Sequence, residues 1–181
     1  KNRKNMVVTA GSGEETQQQS QDGEEDKNIK QQILIVDDSA LNREILSEML
    51  HSDFRILEAE NGEQSISVLE QYGTGIALIL LDIVMPGMNG FEVLEYMTRN
   101  HWIEEVPVIM ISSENSESYI RKAYELGVSD YISRPFDARV VFQRVFNTIK
   151  LYAKQRRLIR LVTNQIYEKE KNNRIMVAIL S

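Results

Sequence analysis

The sequence predicts an α/β fold, a three-layer sandwich in which a parallel sheet of five strands lies between two layers of helices. Three observations carry this. Short, nearly continuous apolar runs recur along the chain, each too brief for a helix and of the kind that forms strands buried on both faces. Stretches with helical apolar spacing separate these runs, so strand and helix alternate and the crossovers are right-handed. The strongest runs end on acids or on a hydroxyl, as strands do where a sheet edge binds something.

Residues 1 to 31 read as an acidic and polar linker. Gly11-Ser12-Gly13, the run Gln17-Gln18-Gln19 and the acids Glu14, Glu15, Asp22, Glu24, Glu25 and Asp26 offer almost nothing to bury. Met6-Val7-Val8 is either a short apolar remnant in a tail or the last strand of an upstream domain. The first strand is Ile33-Leu34-Ile35-Val36, ending at Asp37 and Asp38. Leu41, Ile45, Leu46 and Met49 then share one face of a helix. Phe54 to Ala59 is a weaker strand, placed nearer a sheet edge. Gln64 to Tyr72 is helical, and Ile76 to Leu81 is a strand ending at Asp82. Phe91 to Arg99 is a helix. Val106 to Ile111 is the fourth strand, ending at Ser112. Ser116 to Leu126 is a helix stopped by Gly127 in a left-handed cap, and Val128 to Ser133 is the fifth, weaker strand.

The last helix differs from the others. It starts near Asp137 and meets no breaker until about Asn172, a length of about 50 Å at 1.5 Å per residue. Its first turns carry Val140, Val141, Val145 and Phe146 to cover the sheet. The stripe Val141, Val145, Thr148, Tyr152, Gln155, Ile159, Val162, Ile166 then continues in four-three alternation past the end of the domain. Residues 150–172 are therefore a helical extension with an apolar seam. Two arrangements would cover it: a parallel coiled coil with a second copy in a homodimer, or a further domain packed against it. Arg174 to Leu180 reads as the start of a new helix, and residues 173–181 as the beginning of a downstream domain.

Composition narrows the function. A chain of 181 residues suits one domain with additional segments. The net charge of -6 argues against a nucleic-acid-binding body. Without cysteine there is no disulfide and no thiolate zinc site, which suits a reducing cytosol. No apolar run reaches the roughly 18 residues of a membrane span. The expected location is cytoplasmic. The chain opens without Met and stops within an apolar stretch, as a piece of a longer protein would. From Ala138 to Tyr167 there are seven Lys or Arg residues and no acid. That pattern is either the solvated outer face of a coiled coil or a track for nucleic acid or an anionic membrane. His51 and His101 lack partners at metal-ligand spacing and read as surface residues.

Ligands of open α/β sheets bind beyond the carboxyl ends of the strands, and Asp37, Asp38, Asp82 and Ser112 each fall at such an end. Three carboxylates at one edge repel, which raises at least one pKa unless a cation neutralises them. An all-oxygen donor set with water completing an octahedron suits Mg2+. A carboxylate can be a covalent nucleophile toward phosphorus. Phosphoryl transfer asks chiefly for positioning and charge neutralisation, from a metal, a hydroxyl and a fixed cation. Arg134 is the cation at a strand end nearest in the topology.

Val36-Asp37-Asp38-Ser39, Leu81-Asp82-Ile83-Val84-Met85-Pro86-Gly87-Met88-Asn89-Gly90, Pro107 through Ser113, and Tyr131-Ile132-Ser133-Arg134-Pro135-Phe136 resemble the four signature segments of response-regulator receiver domains. They arrive in order and at the family's spacing, covering residues 32–149. The resemblance implies the flavodoxin-like (βα)5 sandwich with strand order 2-1-3-4-5. It implies that Asp82 is the phosphoacceptor, and that Asp37 and Asp38 hold Mg2+, with Asp38 as the direct ligand. The backbone carbonyl of Val84 would be a further ligand. Ser112 would be the switch hydroxyl, Tyr131 the aromatic that moves with it, and Pro135 a proline after a cis peptide.

Arg134 departs from the pattern, which has Lys there, and the exchange is not conservative. It leaves a working variant, a slower phosphoacceptor, or a phosphorylation-independent pseudo-receiver acting as an interaction and dimerisation module. Val84, two residues past the acceptor, cannot orient an attacking water, so a long-lived phospho-form is expected. The partners implied are a histidine kinase or phosphotransfer protein, and an output domain in cis. The receiver itself is regulatory rather than an enzyme. Arg174 to Leu180 resembles the entry into HD-GYP phosphodiesterase domains, with a diguanylate cyclase as the competing output.

Overall fold

The computed structural model describes residues 29–180. The linker proposed for residues 1 to 31 lies almost entirely outside these. Five strands alternate with five helices: β1 (Gln32–Val36), α1 (Ala40–Leu50), β2 (Arg55–Ala59), α2 (Gly62–Tyr72), β3 (Ile76–Leu81), α3 (Gly90–Arg99), β4 (Val108–Ser112), α4 (Glu117–Glu125), β5 (Asp130–Ser133) and α5 (Ala138–Leu180). A 3-10 turn at Gly73–Gly75 and one helical turn at Trp102–Glu105 punctuate the loops. All strand pairs are parallel and the order is β2-β1-β3-β4-β5, as expected for this fold.

The alternation of side chains along each strand splits the core in two. Leu34, Val36, Ile79, Leu81, Val108 and Met110 face the layer of α2, α3 and α4, where Leu69, Leu94, Met97 and Ala123 cover them. Ile33, Ile35, Leu78, Leu80, Ile109 and Ile111 face α1 and α5, where Leu46, Leu50, Val141 and Val145 cover them. β3, in the middle, is buried at every position, which is why its sequence is unbroken apolar rather than alternating. β2, at one edge, is buried only at Ala59.

Polar side chains start three of the helices. Ser39 caps α1 by accepting from the Asn42 amide, Asn61 caps α2, and Asn89 with Glu92 makes a capping box at α3. Gly127, at φ 97°, closes α4 in the left-handed region.

The structure differs from the sequence reading at four places. Leu41 and Ile45 are exposed, because α1 turns Leu46 and Leu50 toward the sheet instead. Val140 and Phe146 are exposed as well, leaving Val141 and Val145 to cover the sheet. The turn at Trp102–Glu105 was not anticipated, because four residues are too few to show a period. The break near Asn172 is absent, and α5 runs unbroken for 43 residues, roughly 64 Å at the helical rise. Asparagine costs a helix only a few tenths of a kcal/mol relative to average residues, unlike proline, so Asn172-Asn173 does not stop it. No described helix is long and apolar enough to cross a membrane.

Candidate functional site

The carboxyl ends of β1, β3, β4 and β5 bring together the polar residues of the signature segments. Carboxylate oxygens of Asp37, Asp38 and Asp82 lie within 4.8 Å of one another. Backbone bonds hold the strand ends: the Asp82 amide donates to the Val36 carbonyl at 2.9 Å, and the Asp37 amide to the Ala59 carbonyl at 3.2 Å. The start of α3 is packed directly onto Asp82. A Cβ on Gly90 would come within 2.3 Å of the Asp82 carbonyl oxygen, so this position has room only for hydrogen.

The three acids sit in different surroundings. Asp37 is 1% exposed, Asp38 is exposed, and Asp82 is intermediate. Asp37 is held on every side. Its Oδ1 accepts from the Ser39 amide at 2.8 Å, and Asn42 Nδ2 donates to both oxygens at 3.2 Å. Its Oδ2 accepts from Arg134 Nη2 at 2.6 Å. Arg43 Nη1 donates to its carbonyl at 2.7 Å. Asp82 Oδ1 accepts from the Ile83 amide at 2.8 Å. Burial pushes the Asp82 carboxyl up from its ordinary pKa, and the neighbouring Asp37 carboxylate pushes it the same way. Arg134, the Ser112 hydroxyl and the Ile83 amide offset part of this.

Ser112 is buried at the end of β4, where its Oγ accepts from the Glu114 amide at 3.2 Å. Its hydroxyl lies close enough to hold down the pKa of both Asp82 and Tyr131. The ring of Tyr131 is buried and its hydroxyl donates to the Glu114 carbonyl. Burial is the chief cause of the raised pKa of that phenol. Val84, two residues past Asp82, presents an exposed side chain. The Arg134–Pro135 peptide is cis. Arg134 lies with its guanidinium carbon 5.7 Å from the Phe136 ring centroid, and its Nε is buried without an acceptor.

Sequence reasoning missed Asn42 and Arg43, which fix Asp37 from the first turn of α1. The signal for them was their place one helical turn beyond the acid pair, behind the Ser39 cap. Only the packing of α1 against β1 shows which way they point.

The comparisons with known proteins agree with this geometry. The family model of the response regulator receiver domain matches residues 33–146. The chain belongs to that family, whose members are the regulatory receivers of two-component systems. It is 38% identical over 113 residues to a probable cyclic di-GMP phosphodiesterase of Vibrio cholerae, a match covering 62% of this chain and 25% of that protein. It is 34% identical over 104 residues to a two-component response regulator of rice (Oryza sativa subsp. indica), covering 57% of this chain and 79% of that one. Among solved structures, the CheX–CheY–BeF3–Mg complex of Borrelia burgdorferi aligns with a TM-score of 0.62 at 30% identity, over 66% of this chain and 89% of that one.

Proposed function

We propose that Asp82 accepts a phosphoryl group from a histidine kinase or phosphotransfer protein. The observation that carries this is the convergence of Asp37, Asp38, Asp82, Ser112 and Arg134 on one sheet edge. In the transfer an Asp82 oxygen attacks phosphorus in line and the P–N bond of the donor phosphohistidine breaks. The leaving nitrogen keeps the electron pair and takes a proton. The acid cluster fits Mg2+: it is all oxygen, closely spaced and mutually repulsive. Asp38, Asp37 and Asp82 with the Val84 carbonyl would hold the ion, which when bound supplies charge neutralisation for the transferred group. Ser112 donates to a phosphoryl oxygen and Arg134 supplies the fixed positive charge. That the Borrelia structure pairs a receiver-type protein with beryllofluoride and Mg2+ supports the same reading here.

We infer that transmission runs through Ser112 and Tyr131. The phosphoryl group adds about -1.5 to -2 charge. It draws Ser112 toward it, and the vacated space admits the ring of Tyr131, biasing the surface of α4, β5 and α5. We read 32–149 as the receiver and the helix from 150 as the extension that carries the change, through a homodimer seam, to an output domain in cis. Arg174 to Leu180 continue α5 rather than open a new helix, so a cyclic di-GMP phosphodiesterase output is supported only by the name of the Vibrio relative, whose match covers a receiver-sized stretch. A cytoplasmic location accords with the absence of cysteine.

Beryllofluoride, with and without Mg2+, tests the site reading by fluorine NMR. One bound species that requires Mg2+ and disappears in Asp82→Asn is expected. A bound species that persists in the variant would contradict it.

A further inference from the structure

Arg134 reaches an unexpected partner. It follows β5, and β4 and β3 lie between it and β1, yet its guanidinium pairs with Asp37 at the end of β1 rather than with Asp82. The pair is shielded, with the Arg134 side chain 15% exposed and the Asp37 side chain 1% exposed. Asn42 and the Ser39 amide take up the remaining capacity of the Asp37 carboxylate. Of the three acids that would hold a cation, Asp37 alone already has a full set of partners, one of them a positive charge at 2.6 Å.

We propose that the Arg134 guanidinium and a divalent cation exclude one another at Asp37. Arg134 then serves as the resting cation of the site, and the metal is taken up together with the phosphoryl group rather than ahead of it. This rests on the reading of the acid cluster as a metal site and adds an order of events to it.

The physical grounds are charge and donor count. A carboxylate oxygen that accepts a short charge-assisted bond has little density left for a metal. Two positive charges at one oxygen repel in a partly buried site, where water screens them poorly. Arginine suits the role better than lysine, because it is longer, planar and less strongly hydrated. The resting pose also leaves one donor unspent, since Nε is buried without an acceptor. Phosphoryl oxygens are acceptors that a guanidinium matches in pairs, so their arrival at Asp82 gives Arg134 a reason to leave Asp37. Release of Asp37 then couples metal affinity to phosphoryl occupancy, and by reciprocity each strengthens the other.

The test is Mn2+ affinity of the whole chain, read from the spin-resonance signal of the free ion, for wild type, Arg134→Lys, Arg134→Ala and Asp37→Asn. Each is measured with and without beryllofluoride. Resting Arg134→Lys, whose charge is unchanged but whose reach is shorter, is expected to bind Mn2+ several-fold more tightly than wild type. Arg134→Ala is expected to gain about tenfold or more. Beryllofluoride should raise the affinity of wild type more than that of either Arg134 variant. Asp37→Asn should lose most of the affinity gained with beryllofluoride, where Arg134 no longer occupies that carboxylate. Equal resting affinity in wild type and Arg134→Lys, with a gain only in Arg134→Ala, would reduce the effect to bulk charge and overturn the exclusion at Asp37. Affinity unchanged in Asp37→Asn would remove Asp37 as a ligand. Absence of Mn2+ binding in every protein would sink the metal reading itself, which is a different failure.

Discussion

The two halves of α5 carry the same pattern and meet opposite fates. In the first half Val141 and Val145 are 0% exposed and Ile149 is 5% exposed, pressed against β1, β3 and β4. In the second half Ile159, Val162 and Ile166, which continue the stripe of Val141 and Val145, are 66%, 54% and 54% exposed. Tyr152 marks the junction, where its hydroxyl meets Ser129 Oγ at 3.2 Å. Periodicity therefore tells which face of a helix is apolar, while burial depends on whether a sheet lies beneath it. The first half is part of the receiver core and the second carries an exposed apolar stripe.

The comparison can be broken most sharply at Val145. Val145→Asp places an unpaired carboxylate in the core and is expected to cost about 3 kcal/mol or more, enough to unfold the receiver in a thermal melt. Retained stability would mean that α5 is not part of the core.

A smaller effect is expected from Asp82→Asn in metal-free buffer. The folded pKa of Asp82 is raised, so the folded state binds the proton more tightly than the unfolded chain does. Its contribution is most favourable below the unfolded pKa and is lost as pH rises through the folded one. Asp82→Asn should therefore raise Tm by a few degrees at neutral pH, with the gain vanishing in acid. A gain independent of pH would locate its cause elsewhere.

The exposed half should behave oppositely to the core. Ile159→Asp is expected to leave the receiver melt within about 0.5 kcal/mol of wild type while weakening self-association in sedimentation equilibrium. A drop in Tm with no change in assembly would remove the homodimer seam.

Tyr152→Phe should cost the receiver about 0.5–1 kcal/mol, through loss of the Ser129 bond. A larger loss would make the junction part of the core rather than its edge.

Much of the fold could be read from residue order, for identifiable reasons. β1, β3 and β4 are buried on both faces, so their apolar runs are continuous and hard to mistake. The acids stood out because each closes such a run. Asn172-Asn173 misled because a weak propensity was read as a stop, and the helix simply continues through it. The grip on Asp37 by Asn42, Arg43 and Arg134 was out of reach, since it depends on side chains from α1 and the β5 end meeting across the sheet edge. Linear spacing holds no record of such a meeting.

Intact mass after incubation with acetyl phosphate tests the central claim most directly. Wild type should gain the mass of one phosphoryl group in the presence of Mg2+, gain none without it, and gain none as Asp82→Asn. An unmodified wild type under these conditions, or the same gain in Asp82→Asn, would contradict Asp82 as the acceptor and leave the chain as a phosphorylation-independent receiver.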